Sequence, residues 1–124
     1  MDALPKVGRF LFAIPMAAFG VLHFLNADMM AGIVPIPGGV IWVYLTGVAL
    51  LAAAAAILIE RHAVLATRLL ALFLLLTALT VHLPVVMGGD QSAMSQILKD
   101  VALAGGALIL SGVVGRDGAS AGGA

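Results

Sequence analysis

Four apolar stretches dominate the chain, at about residues 9–25, 40–59, 63–86 and 97–114, separated only by short polar or Gly/Pro-rich breaks. A bilayer-spanning helix needs about 20 mainly apolar residues. The chain has 124 residues, of which 63% are hydrophobic and 10% charged. A soluble domain of this size has too much surface for its volume to hide so much apolar side chain. The expectation is an all-α integral membrane four-helix bundle, up-down-up-down, occupying residues 1–117. The small-residue tail 118–124 (GASAGGA) has nothing to bury and is expected to be disordered.

The N-terminus has the basic start and apolar run of a signal peptide, but no convincing small-x-small cleavage site follows His23, so it reads as an uncleaved first span. Pro15 lies inside that span and predicts a kink or a freed carbonyl. Gly20 offers a place for close helix approach, and the run Ala52–Ala56 suits tight packing in span two. Asn26–Gly39 (NADMMAGIVPIPGG) contains prolines and glycines that forbid a regular helix through its second half. Its apolar side chains predict a loop folded on the bundle mouth. Trp42 and Tyr44 open span two as interfacial aromatics do, and Glu60, Arg61 and His62 form the tight turn into span three.

Net charge is zero, so no nucleic-acid footprint is implied. The absence of cysteine removes disulfide, iron–sulfur and thiol chemistry from this chain itself. With four spans, Lys6, Arg9, Arg61, Arg68 and Arg116 fall on one side and Lys99 alone on the other. The positive-inside rule then places both termini in the cytoplasm. Arg9 and Arg68 are expected to snorkel to the headgroups.

Arg9 precedes His23, and Arg68 precedes His82, by the same interval. Helical rise separates the members of each pair by about 21 Å. Counting depth from the charge at the other end of each span brings Tyr44, Thr46, Lys99 and Asp100 to about the same level. His23, Tyr44, Thr46, His82, Lys99 and Asp100 therefore form a candidate polar layer near the outer face. Ionisable groups within spans usually face the interior and pair there. The plain reading is that the layer fixes helix register. The sharper one is a shallow pocket whose donors surround a carbonyl, with His or Asp100 moving a proton. A quinone headgroup suits such a pocket. Two histidines at one depth also suit haem iron, and Met29, Met30, Met87 and Met94 on the same side suit Cu(I). The layer is close to water and methionine is ordinary filler, so haem and copper are disfavoured and no metal site is expected. Gly105-Gly106, with Ala102, makes a small-residue face for helix packing or a second subunit.

Gly20-x-x-His23-Phe24, the proline-bearing loop, Gly47, His82, and Lys99-Asp100 before Leu103 and Gly105-Gly106 together resemble the DoxX family of small four-span bacterial membrane proteins. The resemblance covers about residues 8–115. It implies a four-helix bundle in the bacterial inner membrane. Some members of that family belong to a thiosulfate:quinone oxidoreductase, and others are linked to redox or oxidative-stress complexes. Family members often carry a glutamate shortly after the glycine of span two, where this chain has Val48, Ala49, Leu50 and Leu51. Without that acid or any cysteine, thiosulfate chemistry by this chain alone is not expected.

The leading expectation is a quinone- or small-molecule-interacting subunit beside a membrane redox partner, with the lipid bilayer and a homo-oligomer as other associations. The alternative is a non-catalytic assembly protein whose polar layer is structural. An ion conduit is the weakest reading, because only Thr77 and Thr80 continue the layer inward and conduction needs a continuous polar path.

Overall fold

The computed structural model describes residues 3–32, 34 and 37–120, with 117–120 described as backbone only. Its elements are α1 (Ala3–Leu25), α2 (Ala27–Ala31), α3 (Gly39–Ile59), α4 (Ala63–Thr77), a π-helical turn (Ala78–His82), α5 (Leu83–Met87) and α6 (Ala93–Ser120). Four continuous helical segments are long and apolar enough to cross a membrane: Ala3–Leu25, Gly39–Ile59, Ala63–Met87 and Ala93–Arg116. They form an all-α, up-down-up-down bundle.

Two pairs of consecutive spans are closely packed, α1 on α3 and α4 on α6. The first pair meets at glycines. A Cβ on Gly20 would lie 2.7 Å from Leu51 Cγ and 3.1 Å from the Gly47 carbonyl. One on Gly47 would lie 2.7 Å from the Phe24 ring and 3.1 Å from the Gly20 carbonyl. Only glycine at both positions lets the two backbones approach this closely, and dispersion then holds them together in lipid. The central core draws on all four spans, with Met16, Leu50, Ala53, Ala54, Leu70, Ala71, Leu74, Ala104 and Ala107. A second cluster, Ala13, Ile57, Ala63, Leu110 and Val114, fills the end beside the α3–α4 turn. Large apolar side chains such as Leu11, Ile41, Leu69 and Ile109 point outward. That costs nothing against acyl chains, which are as apolar as leucine.

The α3–α4 turn is built from two non-glycine residues in the left-handed region, Glu60 (φ 60°) and His62 (φ 54°). The Arg61 N–H donates to the Ala56 carbonyl at 3.1 Å, a Schellman-type closure in which glycine is the usual left-handed residue. Glu60 stands there instead, and its carboxylate accepts from Arg9 Nη1. The buried Arg9 therefore does not snorkel: a partner within the bundle outbids the headgroups. Arg68 is exposed, as expected.

At the opposite end, α2 packs on α3 and α1 and buries Ala27. Gly38 turns the chain with φ 83°, and Trp42 Nε1 donates to the Pro37 carbonyl at 3.0 Å. Ile33, Pro35 and Ile36 of the expected lid lie outside the described residues. Met29, also expected to pack, points outward.

Helix α6 starts at Ala93 rather than Ile97. Asp90 Oδ1 accepts from the Ser92 N–H at 3.0 Å and from Ser92 Oγ at 2.5 Å, and this local turn launches the helix. Polar residues made 93–96 look like loop, yet Ala93 is buried and anchors the first turn. The helix also runs through Ser120, beyond the Val114 end expected for span four. Adding residues to an existing helix is far easier than nucleating one. Residues 121–124 of the small-residue tail lie outside the described residues.

Candidate functional site

Pro84 has no N–H to return to the Thr80 carbonyl, and its ring crowds that carbonyl. The chain widens just before it. The Leu83 N–H donates to the Ala78 carbonyl, a five-residue step, across Ala78–His82. Such π turns are rare, and they frequently sit at functional sites. Here the last residue of the turn is His82.

His82 Nε2 lies 3.3 Å from Asp100 Oδ2, between the π-helical turn and α6. Lys99 Nζ lies 4.0 Å from Asp100 Oδ1. Neither contact is a hydrogen bond: the first fails on alignment and the second on distance. Asp100 Oδ2 is consequently a buried acceptor with no hydrogen-bond partner. Side-chain exposure rises from 5% at Asp100 to 20% at His82 and 41% at Lys99. The groups thus step from an enclosed carboxylate, through an imidazole, to an ammonium at the rim. Lys99 Nζ also donates to Gln96 Oε1 at 2.7 Å and stands 5.1 Å from the centroid of the Phe19 ring. That cation–π contact ties α1 to α6 at the level of the carboxylate.

The other candidate residues are spent locally. His23 Nδ1 bonds to the Phe19 carbonyl at 2.6 Å, one turn back on its own helix. Thr46 Oγ1 donates to the Trp42 carbonyl at 2.8 Å. The Tyr44 ring packs on Phe24 with centroids 5.6 Å apart. Tyr44 and Phe24 line an open hollow of about 350 Å³ with residues 25–29, a hollow that does not include His82, Lys99 or Asp100. The structure therefore joins His82, Lys99 and Asp100 and leaves His23, Tyr44 and Thr46 outside that group. Among the described residues, no three His, Asp or Glu side chains gather as a metal site.

Phe19 and Gln96 were not among the expected site residues. Gln96 was legible, three positions before Lys99 and so on its helical face. Phe19 carried no signal, because an aromatic in an apolar span reads as core.

No family model, curated protein or solved structure matches this chain. The fold and the placement of these groups define a four-span helical membrane protein with one buried, incompletely satisfied carboxylate.

Proposed function

We propose that this chain is a DoxX-like subunit of a bacterial inner-membrane redox system, which receives a quinone or similar carbonyl-bearing headgroup at His82, Lys99 and Asp100. The observation that carries the reading is the carboxylate of Asp100, enclosed within a membrane span yet accepting no hydrogen bond on Oδ2. An ionisable residue in a span is expensive to keep, and its usual reason is a ligand or proton path. In this reading Lys99, at the rim, donates to a ligand carbonyl. His82 and Asp100 behind it accept or deliver the proton that carbonyl reduction requires. The electrons come from a partner protein, since the chain has no cysteine to carry them.

The site would face the periplasm, with both termini cytoplasmic, because the turn end carries the larger share of Lys and Arg. Cysteine placed at Ser92 should then react with an impermeant reagent in intact cells; labelling only after lysis would reverse the orientation.

For the site itself, decyl-ubiquinone binding should be measured on the detergent-solubilised protein. Lys99→Met with Asp100→Leu should keep the fold and weaken binding at least tenfold. Unchanged affinity would sink the reading. A second reading, a purely structural layer in an assembly protein, is favoured by the other end of the bundle, where Arg9 and Glu60 show that charged groups of neighbouring spans can serve to pair with each other. On that reading no quinone binds, and the double variant is as stable as the parent.

A further inference from the structure

We propose that the groove between α1 and α6, at the end bearing the α3–α4 turn, binds one acyl chain of an anionic amphiphile, with the headgroup on Arg9. The helices α1 and α6 are not among the closely packed pairs. Where they face each other near the turn they leave a groove of about 210 Å³, lined by Pro5, Gly8, Arg9 and Phe12 on one side and by residues from Gly106 to Val113 on the other. Its walls are apolar except for Arg9. The volume is below the roughly 300–1,000 Å³ of pockets that enclose a whole small molecule, so it takes part of a chain. Glycine keeps it open: a Cβ on Gly8 would meet nothing within 4 Å, and one on Gly106 only the Phe12 ring at 3.5 Å.

The charge chemistry selects the headgroup. The Arg9 side chain is only 9% exposed, and Glu60 engages its Nη1. Its Nε is buried and donates to nothing. A guanidinium presents its donors as a planar fork matched to carboxylate and phosphate oxygens. With one nitrogen held by Glu60, the Nε side is idle, and a buried idle donor is costly. An oxyanion arriving with its chain in the groove satisfies it. Exposed Lys6, one turn before Arg9, and Arg116, one turn beyond Val113, add positive charge near the groove mouth. A phospholipid phosphate and a fatty-acid carboxylate offer the same chemistry.

The full-length protein, stripped of lipid in neutral detergent, should be examined by native mass spectrometry with phosphatidylglycerol, phosphatidylcholine or palmitate added. Phosphatidylglycerol or palmitate should be retained at least fivefold more than phosphatidylcholine, and whichever is retained identifies the source of the anion. Gly106→Leu fills the groove and should reduce that retention to the phosphatidylcholine level. Gly105→Leu makes the same change on the neighbouring residue, which does not line the groove, and should leave retention intact. Circular dichroism should show both variants folded. Equal retention of anionic and zwitterionic amphiphiles, or equal behaviour of the two variants, would overturn the proposal.

Discussion

The two ends of the bundle each set an acid against a basic side chain of a neighbouring span, and they bury opposite members of the pair. At the turn end the cation is enclosed and the acid is outside: Arg9 is 9% exposed at its side chain and Glu60 is 56% exposed. Water and headgroups solvate the carboxylate, so only one partner is desolvated. At the other end the acid is enclosed, and its neighbours His82 and Lys99 are progressively more exposed. At both ends the buried partner is left one hydrogen bond short, Arg9 at Nε and Asp100 at Oδ2. A carboxylate in that position gains from any donor a ligand brings. The comparison separates a guanidinium that still wants an acceptor from a carboxylate that still wants a donor, by which member of the pair is buried and what it lacks.

The largest expected effect comes from stripping Asp100 of its basic neighbours. His82→Leu with Lys99→Met leaves an enclosed carboxylate alone, which should cost about 3–5 kcal/mol. Adding Asp100→Leu should restore most of that loss, because an apolar trio is tolerated where a lone charge is not. Thermal unfolding of the three proteins in one detergent decides it. If the replacements of His82 and Lys99 alone are harmless, Asp100 is better solvated than its burial implies, and the contrast between the ends collapses.

A smaller effect should follow at the turn. Glu60→Gln removes the carboxylate from the buried Arg9 but keeps a left-handed non-glycine residue, and should cost about 1–2 kcal/mol, given how exposed Glu60 is. Glu60→Gly removes the same charge but relieves the backbone, and should be about 1 kcal/mol less destabilising than Glu60→Gln. The reverse order in denaturant titrations would mean that the positive φ carries no strain here.

Phe19→Leu tests the tie between α1 and α6. Losing the cation–π contact with Lys99 should cost about 0.5–1 kcal/mol. A similar loss when Phe19→Leu is made in a Lys99→Met background would show that the ring acts by packing alone.

The smallest effect concerns Asp90, an exposed carboxylate in the loop between α5 and α6. The Ser92 hydroxyl, and then the Ser92 N–H, hold its pKa below the ordinary 3.8. A lowered folded-state pKa gives stabilisation that is present above 3.8 and is lost as pH falls through the folded value. Ser92→Ala should raise the Asp90 pKa toward 3.8 in an NMR titration, leaving the rest of the bundle unchanged.

Hydropathy made the four spans, their alternation and the Glu60–His62 turn legible, because length and apolar content alone require them. Depth counting also brought His82, Lys99 and Asp100 to one level. It could not tell which groups at that level face one another. His23 looked equivalent to His82, since each follows an arginine by the same interval. Only one of the two histidines lies in a π turn ahead of a proline, and an assumed regular helix does not register that extra width. Arg9 was read as a headgroup anchor because its partner lies 51 residues away and sits at a backbone angle that favours glycine. The start of α6 was misplaced because polarity marks where water is and not where a helix stops.

Both contacts close within a pair of consecutive spans, Arg9 with Glu60 and His82 with Asp100. A ribosome delivers the chain from its N-terminus. By the time Ala63 emerges, the first clasp has both members and the Gly20–Gly47 contact has both backbones. His82 and Asp100 belong to the portion made afterwards, and neither calls on a charge from the first portion. The protein can therefore enter the membrane as two successive hairpins, each supplying the polar partner of its own buried charge, and no half-made chain has to hold that charge unpartnered in lipid while it waits for the rest.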